Sequence, residues 1–154
     1  MLSQKTKYAI KALLILAEDY QKRRDNPVLI SKIAERGKIP KKFLENILLE
    51  LKNNGILGSK KGKSGGYRLE LKPDEIALGK VIRIFNGPLA LLPCVSQTAH
   101  QKCDECDDET TCGIRMVMAQ VREATAGILD RTSLSAVLKN VEDAKVKSGG
   151  MYYI

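Results

Sequence analysis

The sequence predicts a mainly α-helical fold with one small β-hairpin, and three observations predict it. Apolar residues recur at helical spacing in the stretches 3–20, 40–52 and 113–129. Two short β-type segments flank a glycine-rich turn at 61–66. Between the hairpin and the last long helix, residues 88–112 show little periodicity and contain all four cysteines of the chain.

The composition is that of a globular protein, with 44% hydrophobic and 29% charged residues. No apolar run approaches the roughly 20 residues that span a bilayer, and the first residues lack the apolar core of a signal peptide. We therefore expect a cytoplasmic protein with no membrane partner. In a reducing compartment, four cysteines indicate ligands or redox thiols more than structural disulfides.

The positive charge is concentrated in the first half of the chain. Residues 1–75 hold 17 Lys and Arg residues against 9 Asp and Glu residues, whereas residues 76–154 hold nine of each kind. A basic domain joined to a neutral one favours a polyanionic partner, nucleic acid first. The alternative is a basic surface that serves only solubility.

The first three predicted helices form a helix-turn-helix arrangement. Ser3 is the predicted N-cap of a helix over 3–20, and a polar loop follows at 21–27. A short helix over 29–36 ends at Gly37, the predicted turn residue. A third helix follows at once, and Pro40 suits its first turn. Two helices joined by a tight glycine-containing turn are typical of this DNA-binding motif.

The third helix has an apolar stripe and a polar, basic N-terminal end. The apolar positions are Leu44, Ile47, Leu48 and Leu51, and the polar end carries Lys41, Lys42, Phe43, Glu45 and Asn46. A recognition helix enters the DNA major groove in this way, with its N-terminal residues at the base edges. The alternative is an ordinary amphipathic helix with a solvated outer face.

A basic β-hairpin is predicted directly after this helix. Strands at 56–60 and 67–71 enclose the turn, whose tip carries Lys60, Lys61, Gly62 and Lys63. A hairpin in this place is a wing, and glycines with lysines at its tip allow close approach to phosphates and to the minor groove. The sequence thus predicts a winged helix-turn-helix domain over residues 1–87.

The second half is predicted to be a sensor loop followed by a dimerisation helix. Asp74 is expected to cap a helix over 75–85, and a cysteine-rich loop occupies 88–112. The apolar helix from Gly113 to about residue 129 is expected to pair with a second copy of itself; the alternative is packing within one chain. Thr132 or Ser133 caps a final short helix that ends near residue 141, and residues 142–154 are expected to be a flexible tail.

The four cysteines favour a metal or iron–sulfur site. They are Cys94, Cys103, Cys106 and Cys112, with one C-x-x-C pair among them. Four thiolates complete one tetrahedral zinc ion or one cluster, although the spacing matches neither a zinc ribbon nor a ferredoxin. Five acidic residues at 104–109 would oppose an anionic cluster and make it labile. His100 is a further candidate ligand, with a solvated loop histidine as the alternative, and four unrelated reduced thiols remain the alternative for the cysteines.

The order of these motifs resembles the Rrf-two family of bacterial transcription regulators of the IscR and NsrR type. The residues that carry the resemblance are Lys7-Tyr8-Ala9-Ile10, Ile39 to Asn46, Asn54 to Ser59, Gly65-Gly66-Tyr67 and Thr132-Ser133-Leu134, with the cysteine loop and an apolar helix between the last two. The resemblance covers nearly everything up to about residue 139. It implies a homodimer that binds pseudo-palindromic promoter DNA under the control of iron–sulfur status, nitric oxide or another small signal.

The resemblance also implies roles for individual residues. Residues matching the recognition-helix contacts are Pro40, Lys42, Phe43, Glu45 and Asn46, and residues matching the wing tip are Lys61, Gly62 and Lys63. Cys94 and Cys112 match the outer cluster ligands, and either Cys103 or Cys106 matches the middle one. Arg115 and Lys7 stand where other members have a histidine or an aspartate ligand, so a fourth cysteine would replace either, and the cluster can be [2Fe–2S] or [4Fe–4S].

Three functions compete at this point. The first is a DNA-binding regulator, expected to be a repressor, with a labile iron–sulfur sensor. The second is a zinc-dependent or thiol-redox regulator on the same fold. The third is a thiol–disulfide oxidoreductase that uses Cys103 and Cys106, which is disfavoured because an acidic loop raises the pKa of its thiols.

Overall fold

The computed structural model describes residues 2–23 and 26–150, with six α-helices and one hairpin in the described part. The bounds are α1 Gln4–Lys22, α2 Ile30–Gly37, α3 Lys41–Asn53, β1 Leu57–Lys60, β2 Gly66–Leu69, α4 Leu78–Asn86, a 3₁₀ helix Pro93–Val95, α5 Gly113–Arg131 and α6 Leu134–Gly150. The mainly helical fold with a small hairpin is therefore confirmed. None of the described helices is both long and apolar enough to cross a bilayer.

Helix α1 is the centre of the core. It contacts α2, α3, α4, α6 and β2, and its small residues Ala9, Ala12 and Ala17 are fully buried. The predicted N-cap is confirmed, since the Ser3 side chain accepts a hydrogen bond from the backbone N–H of Thr6. Small side chains on several faces let the other helices approach α1 closely.

The turn between α2 and α3 differs from its prediction. Gly37 is the last residue of α2, and Lys38 takes the left-handed conformation, with φ 49°. A Cβ atom on Gly37 would lie 2.8 Å from the Ile39 side chain and 3.2 Å from that of Ile15. Glycine is thus needed here for close packing, not for its backbone freedom.

The wing is an antiparallel hairpin, as predicted, with shorter strands. Leu57 pairs with Leu69 at its base, and a third segment joins it, because Val28 exchanges two backbone hydrogen bonds with Tyr67, of 2.8 and 2.9 Å. A Cβ atom on Gly66 would lie 2.3 Å from the Val28 carbonyl oxygen. The glycine therefore allows the segment before α2 to pin the wing.

Helix α4 begins later than predicted, and Asp74 does not cap it. Its N-cap is Ala77, because Asp74 lies in a turn and the residues around Ala77 pair with the segment that joins α5 to α6. Leu78 N–H donates to the Thr132 carbonyl at 2.9 Å, and Leu134 N–H donates to the Ile76 carbonyl at 3.0 Å. This pairing connects segments more than 50 residues apart, so local sequence gives no sign of it.

The two C-terminal helices differ from the rest of the fold. No residue of α5 is buried in the described chain. Ser133 caps α6, accepting a hydrogen bond from Ala136 N–H at 3.2 Å, and α6 continues to Gly150, past residue 141 where we expected it to end. The predicted tail is therefore helical over 142–150, and residues 151–154 lie outside the described part.

Candidate DNA-binding surface and cysteine loop

Helix α3 buries its apolar stripe and exposes its polar end. Leu44, Ile47, Leu48 and Leu51 are each 0% exposed. Residues predicted to contact DNA from this helix are all exposed, and they are Pro40, Lys41, Lys42, Phe43, Glu45 and Asn46. The core thus fixes the position of the helix and leaves its N-terminal end free for a ligand.

Phe43 is held in place although it is exposed. Its side chain is 57% exposed, and its ring meets that of Tyr8 edge to face, with centroids 6.4 Å apart. An edge-to-face pair restricts the ring without burying it. Tyr8 therefore orients a residue of the candidate surface, a role that we did not expect of it.

The wing tip is exposed and adjoins α2. Lys60, Lys61, Gly62 and Lys63 are all exposed. Lys63 and Ser64 line the same cavity, of about 250 Å³, as Lys32 of α2 and Asp19 of α1, whose carboxylate pairs with Arg36. Basic side chains from two elements around one concave surface suit a phosphate of the DNA backbone.

The two ends of the cysteine loop meet at the start of α5. Cys94 is buried in the 3₁₀ helix, and Cys112 is the N-cap residue of α5. Arg115, one turn into α5, donates from Nε to the Cys94 carbonyl oxygen at 3.3 Å. Cys106 is half-buried, whereas Cys103 is exposed. The first turn of α5 therefore contacts both Cys94, through Arg115, and Cys112, which is the N-cap residue of the helix.

The Cys106 thiol has two other thiols as neighbours. Partial burial raises the pKa of the Cys106 thiol, and the nearby Cys112 and Cys103 thiols and the Glu109 carboxylate raise it further. A raised pKa is the opposite of what an attacking cysteine needs. The arrangement disfavours a thiol–disulfide oxidoreductase.

The donor set fits the chemistry of zinc or an iron–sulfur cluster, since both use thiolate sulfur. Within residues 2–23 and 26–150, no three His, Cys, Asp or Glu side chains are arranged so as to hold a metal ion. Cys106, its two neighbouring thiols and the buried Cys94 supply suitable ligands, and binding a metal would require the loop to rearrange.

His100 is directed at a carboxylate. Its Nε2 lies 3.3 Å from Glu109 Oε1 without an aligned hydrogen bond, and the second Glu109 oxygen lies 3.9 Å from Arg115 Nε. Asp108, next to it, accepts hydrogen bonds from Thr110. Part of the acidic segment is thus engaged within the loop.

An ion pair between α4 and α5, which we call the joint between the two halves of the chain, was not predicted from the sequence. Arg83 of α4 and Asp130 of α5 form two parallel hydrogen bonds of 2.6 and 2.9 Å. A Cβ atom on Gly79 would lie 1.9 Å from Asp130 Oδ1. The signal that could have revealed the joint is weak, namely a glycine four residues before an arginine on one helix face.

The structure has the features of a winged helix-turn-helix DNA-binding protein. Its helix-turn-helix is anchored in the core, the N-terminal end of α3 is exposed, and a basic wing follows. The sequence profile of the Rrf2 family, described as an iron-dependent transcriptional regulator, matches residues 2–140. The chain belongs to the Rrf2 family of transcriptional regulators, and members of this class are not enzymes.

Relatives and solved structures agree with this assignment. The chain is 44% identical to an rrf2-like helix-turn-helix regulator of Rhodobacter capsulatus over 140 residues, which covers 90% of this chain and 92% of that protein. It is 32% identical to IscR of Aliivibrio salmonicida, over 94% of this chain and 81% of that one. Among solved structures, IscR of T. potens matches with a TM-score of 0.74 and 27% identity, covering 99% and 96% of the two chains.

A further structural neighbour has a different stated role. CymR, the global cysteine regulator of B. subtilis, matches with a TM-score of 0.73 and 26% identity, covering 91% of this chain and 97% of that one. The fold is thus shared with a regulator that is named for cysteine.

Proposed function

We propose that this protein is a homodimeric promoter-binding regulator that reads DNA with α3 and the wing. The observation that carries the proposal is the exposure of all ten predicted contact residues on elements whose apolar sides are buried. No described residue forms an ion pair with the lysines at 41, 42, 60, 61 or 63. Unpaired ammonium groups are available to neutralise phosphates.

The salt dependence of DNA binding tests the wing. We expect the Lys61→Ala, Lys63→Ala double variant to bind a duplex selected from a random library more weakly than the wild type. Each lost phosphate contact should reduce the slope of log K against log salt by roughly 0.9. A matched control removes two exposed lysines of α6, Lys139→Ala with Lys147→Ala, and should keep the slope. Equal slopes for the two double variants would contradict the proposal.

The identity of the base-reading helix is tested with Glu45. A carboxylate accepts a hydrogen bond from cytosine N4 in the major groove. We expect Glu45→Ala to relax the preference at one base-pair position of the selected site, whereas Glu35→Ala on α2 should leave the preference unchanged. If Glu45→Ala selects the same site as the wild type, α3 does not read the bases as proposed.

The cysteine loop is the proposed sensor, and the residues that would hold a cofactor are Cys94, Cys103, Cys106 and Cys112. An iron–sulfur cluster, [2Fe–2S] or [4Fe–4S], would supply a redox-active centre that oxygen or nitric oxide can damage. The chain itself connects this loop to α5, because Cys112 begins the helix and Arg115 holds the Cys94 carbonyl. The other end of α5 joins α4 of the winged domain. Loop geometry thus bears on the positions of both reading helices. A repressor role stays a prediction.

A thiol switch is the second candidate, and one observation favours it: the Cys112 thiol lies close enough to Cys106 to raise the pKa of the Cys106 thiol. Oxidation by a peroxide would remove two electrons and two protons and join the two sulfurs. Protein purified without oxygen separates the candidates. Iron and sulfide that disappear in Cys94→Ala support the cluster, and about one zinc per chain supports a zinc site. A metal-free chain that yields a disulfide-linked Cys106–Cys112 peptide after peroxide treatment supports the switch. Metal-free protein without such a peptide contradicts the sensor.

A further inference from the structure

The Nε atom of an arginine on α5 is buried and lacks a hydrogen-bond acceptor. The Arg122 side chain is only 14% exposed, and its Nε atom is buried with no acceptor among the described residues. Buried polar groups are nearly always hydrogen-bonded, so each exception needs an explanation, such as a bound ion or water. Leaving a buried donor of a charged group unpaired costs more free energy than leaving a donor of a neutral group unpaired.

The charge of Arg122 is only weakly compensated. Its terminal nitrogen lies 2.6 Å from the Glu123 carboxylate, but that side chain is 62% exposed, and an exposed carboxylate is screened by water. The nearby Arg83 has both terminal nitrogens directed at Asp130. Arg122 is thus the arginine of this region with donor capacity left over.

A cavity lies beside this arginine. It has a volume of about 30 Å³ and is enclosed by α4, α5 and the segment 88–98 that precedes the cysteine loop. Arg83 and Arg122 line it together with Ser96, Gln97, Thr98 and the small residue Ala126. A volume of roughly 10–15 Å³ on this measure holds one water molecule, so the cavity admits two or three heavy atoms.

We propose that this cavity is a binding site for a small carboxylate-like oxyanion, held by Arg122. The geometry points to this class because the unpaired Nε–H belongs to a charged guanidinium, which makes strong hydrogen bonds to anionic oxygen atoms. The hydroxyls of Ser96 and Thr98 add donors, and Ser96 Oγ accepts from Ala99 N–H, so its own hydrogen is free to point elsewhere. The size limits the ligand to ions such as formate.

The proposed site is independent of DNA reading, since its residues lie on α4, α5 and the 88–98 segment. It adjoins the joint that connects α5 to the winged domain, because Arg83 belongs both to the cavity wall and to the pair with Asp130. An ion bound there would stabilise the contact between the segment 88–98 and α5.

Formate binding to the full-length protein tests the proposal. Sodium formate is titrated at constant ionic strength against sodium gluconate, whose anion is too large for the cavity, and the melting temperature is followed together with calorimetric binding. We expect a saturable rise in melting temperature for the wild type. Arg122→Met should weaken formate binding about tenfold to 100-fold, the range for hydrogen bonds to charged groups.

Two further variants keep the test decisive if Arg122→Met does not fold. Ala126→Leu keeps the arginine but fills the cavity, and it should abolish the saturable shift. Arg131→Met removes an exposed arginine at the end of the same helix and should leave the shift intact. If the melting temperature of the wild type does not respond to formate, the cavity holds only water and the proposal is wrong. If the wild type and Ala126→Leu respond equally, the response is a non-specific salt effect and the proposal is also wrong.

Discussion

Helices α3 and α5 each carry an apolar stripe, but they use it in opposite ways. The 13-residue α3 buries four apolar residues at 0% exposure. The 19-residue α5 buries none, and Ile114 and Ile128 are 69% and 67% exposed. The monomer core therefore fixes the reading helix, whereas the position of α5 depends on what covers its stripe. We propose that a second copy of the chain covers the stripe, with the same surface used on both sides.

The largest expected effect is on assembly. Val117 is 54% exposed in the N-terminal half of the α5 stripe, and Val117→Asp would bury a charge in the proposed interface. We expect the dimer dissociation constant to rise roughly 100-fold, since an unpaired buried charge costs about 3 kcal/mol or more. Light scattering and sedimentation measure it. Gln120→Asp, outside the stripe on the same helix, is the control, and a Val117→Asp dimer as tight as the control would show that α5 has no such interface.

The next effect is on the stability of the winged domain. Leu48 is 0% exposed and its neighbour Leu49 is 53% exposed. We expect Leu48→Ala to lower the free energy of unfolding by about 2–5 kcal/mol because it leaves a cavity, and Leu49→Ala by at most about 0.5 kcal/mol. Urea unfolding at one protein concentration compares them. Similar losses for both variants would mean that α3 is not anchored as described.

A pair of glycines sharpens the contrast between the halves. A Cβ atom at Gly37 would clash with Ile39, whereas a Cβ atom at Gly127 in α5 would meet open space among the described residues. Gly37→Ala should lower the free energy of unfolding by about 1–3 kcal/mol through overpacking. Gly127→Ala should raise it by about 0.5–1 kcal/mol through helix propensity. The melting temperature should therefore fall for Gly37→Ala and rise for Gly127→Ala. If both melting temperatures shift in the same direction, the two glycines do not differ in packing as described.

The smallest effect concerns the joint between the halves. Hydrogen bonds from Arg83 hold the pKa of the Asp130 carboxyl below its ordinary value, with some help from the charge of Arg83. A lowered folded-state pKa stabilises the fold above the unfolded-state pKa of about 3.9, and this contribution is lost as pH falls through the folded-state pKa.

Asp130→Asn should therefore lower the free energy of unfolding at neutral pH by about 0.2–1 kcal/mol, because the pair is exposed and screened. The difference from the wild type should shrink below about pH 4. Urea unfolding over a pH series measures it, with Asp143→Asn on the exposed side of α6 as control. A difference that persists unchanged in acid would have to come from something other than the ion pair.

Several features could be predicted because they depend on neighbours in the sequence. The apolar stripe of α3, the Ser3 cap and the basic hairpin follow from helical period, capping chemistry and alternation. The same local rules predicted the ten residues of the candidate DNA surface. They failed at Asp74, since the residues after it pair with Ser133 instead of starting a helix.

The sequence alone determined the first three helices and the wing, because each depends on residues close together in the chain, and it determined the uneven charge, which is a matter of composition. Only the tertiary structure decided that Gly37 is needed for close packing, that Arg83 meets Asp130, and that Arg122 lies beside a cavity. These features bring together residues from different elements, and no period or spacing along the chain records such contacts.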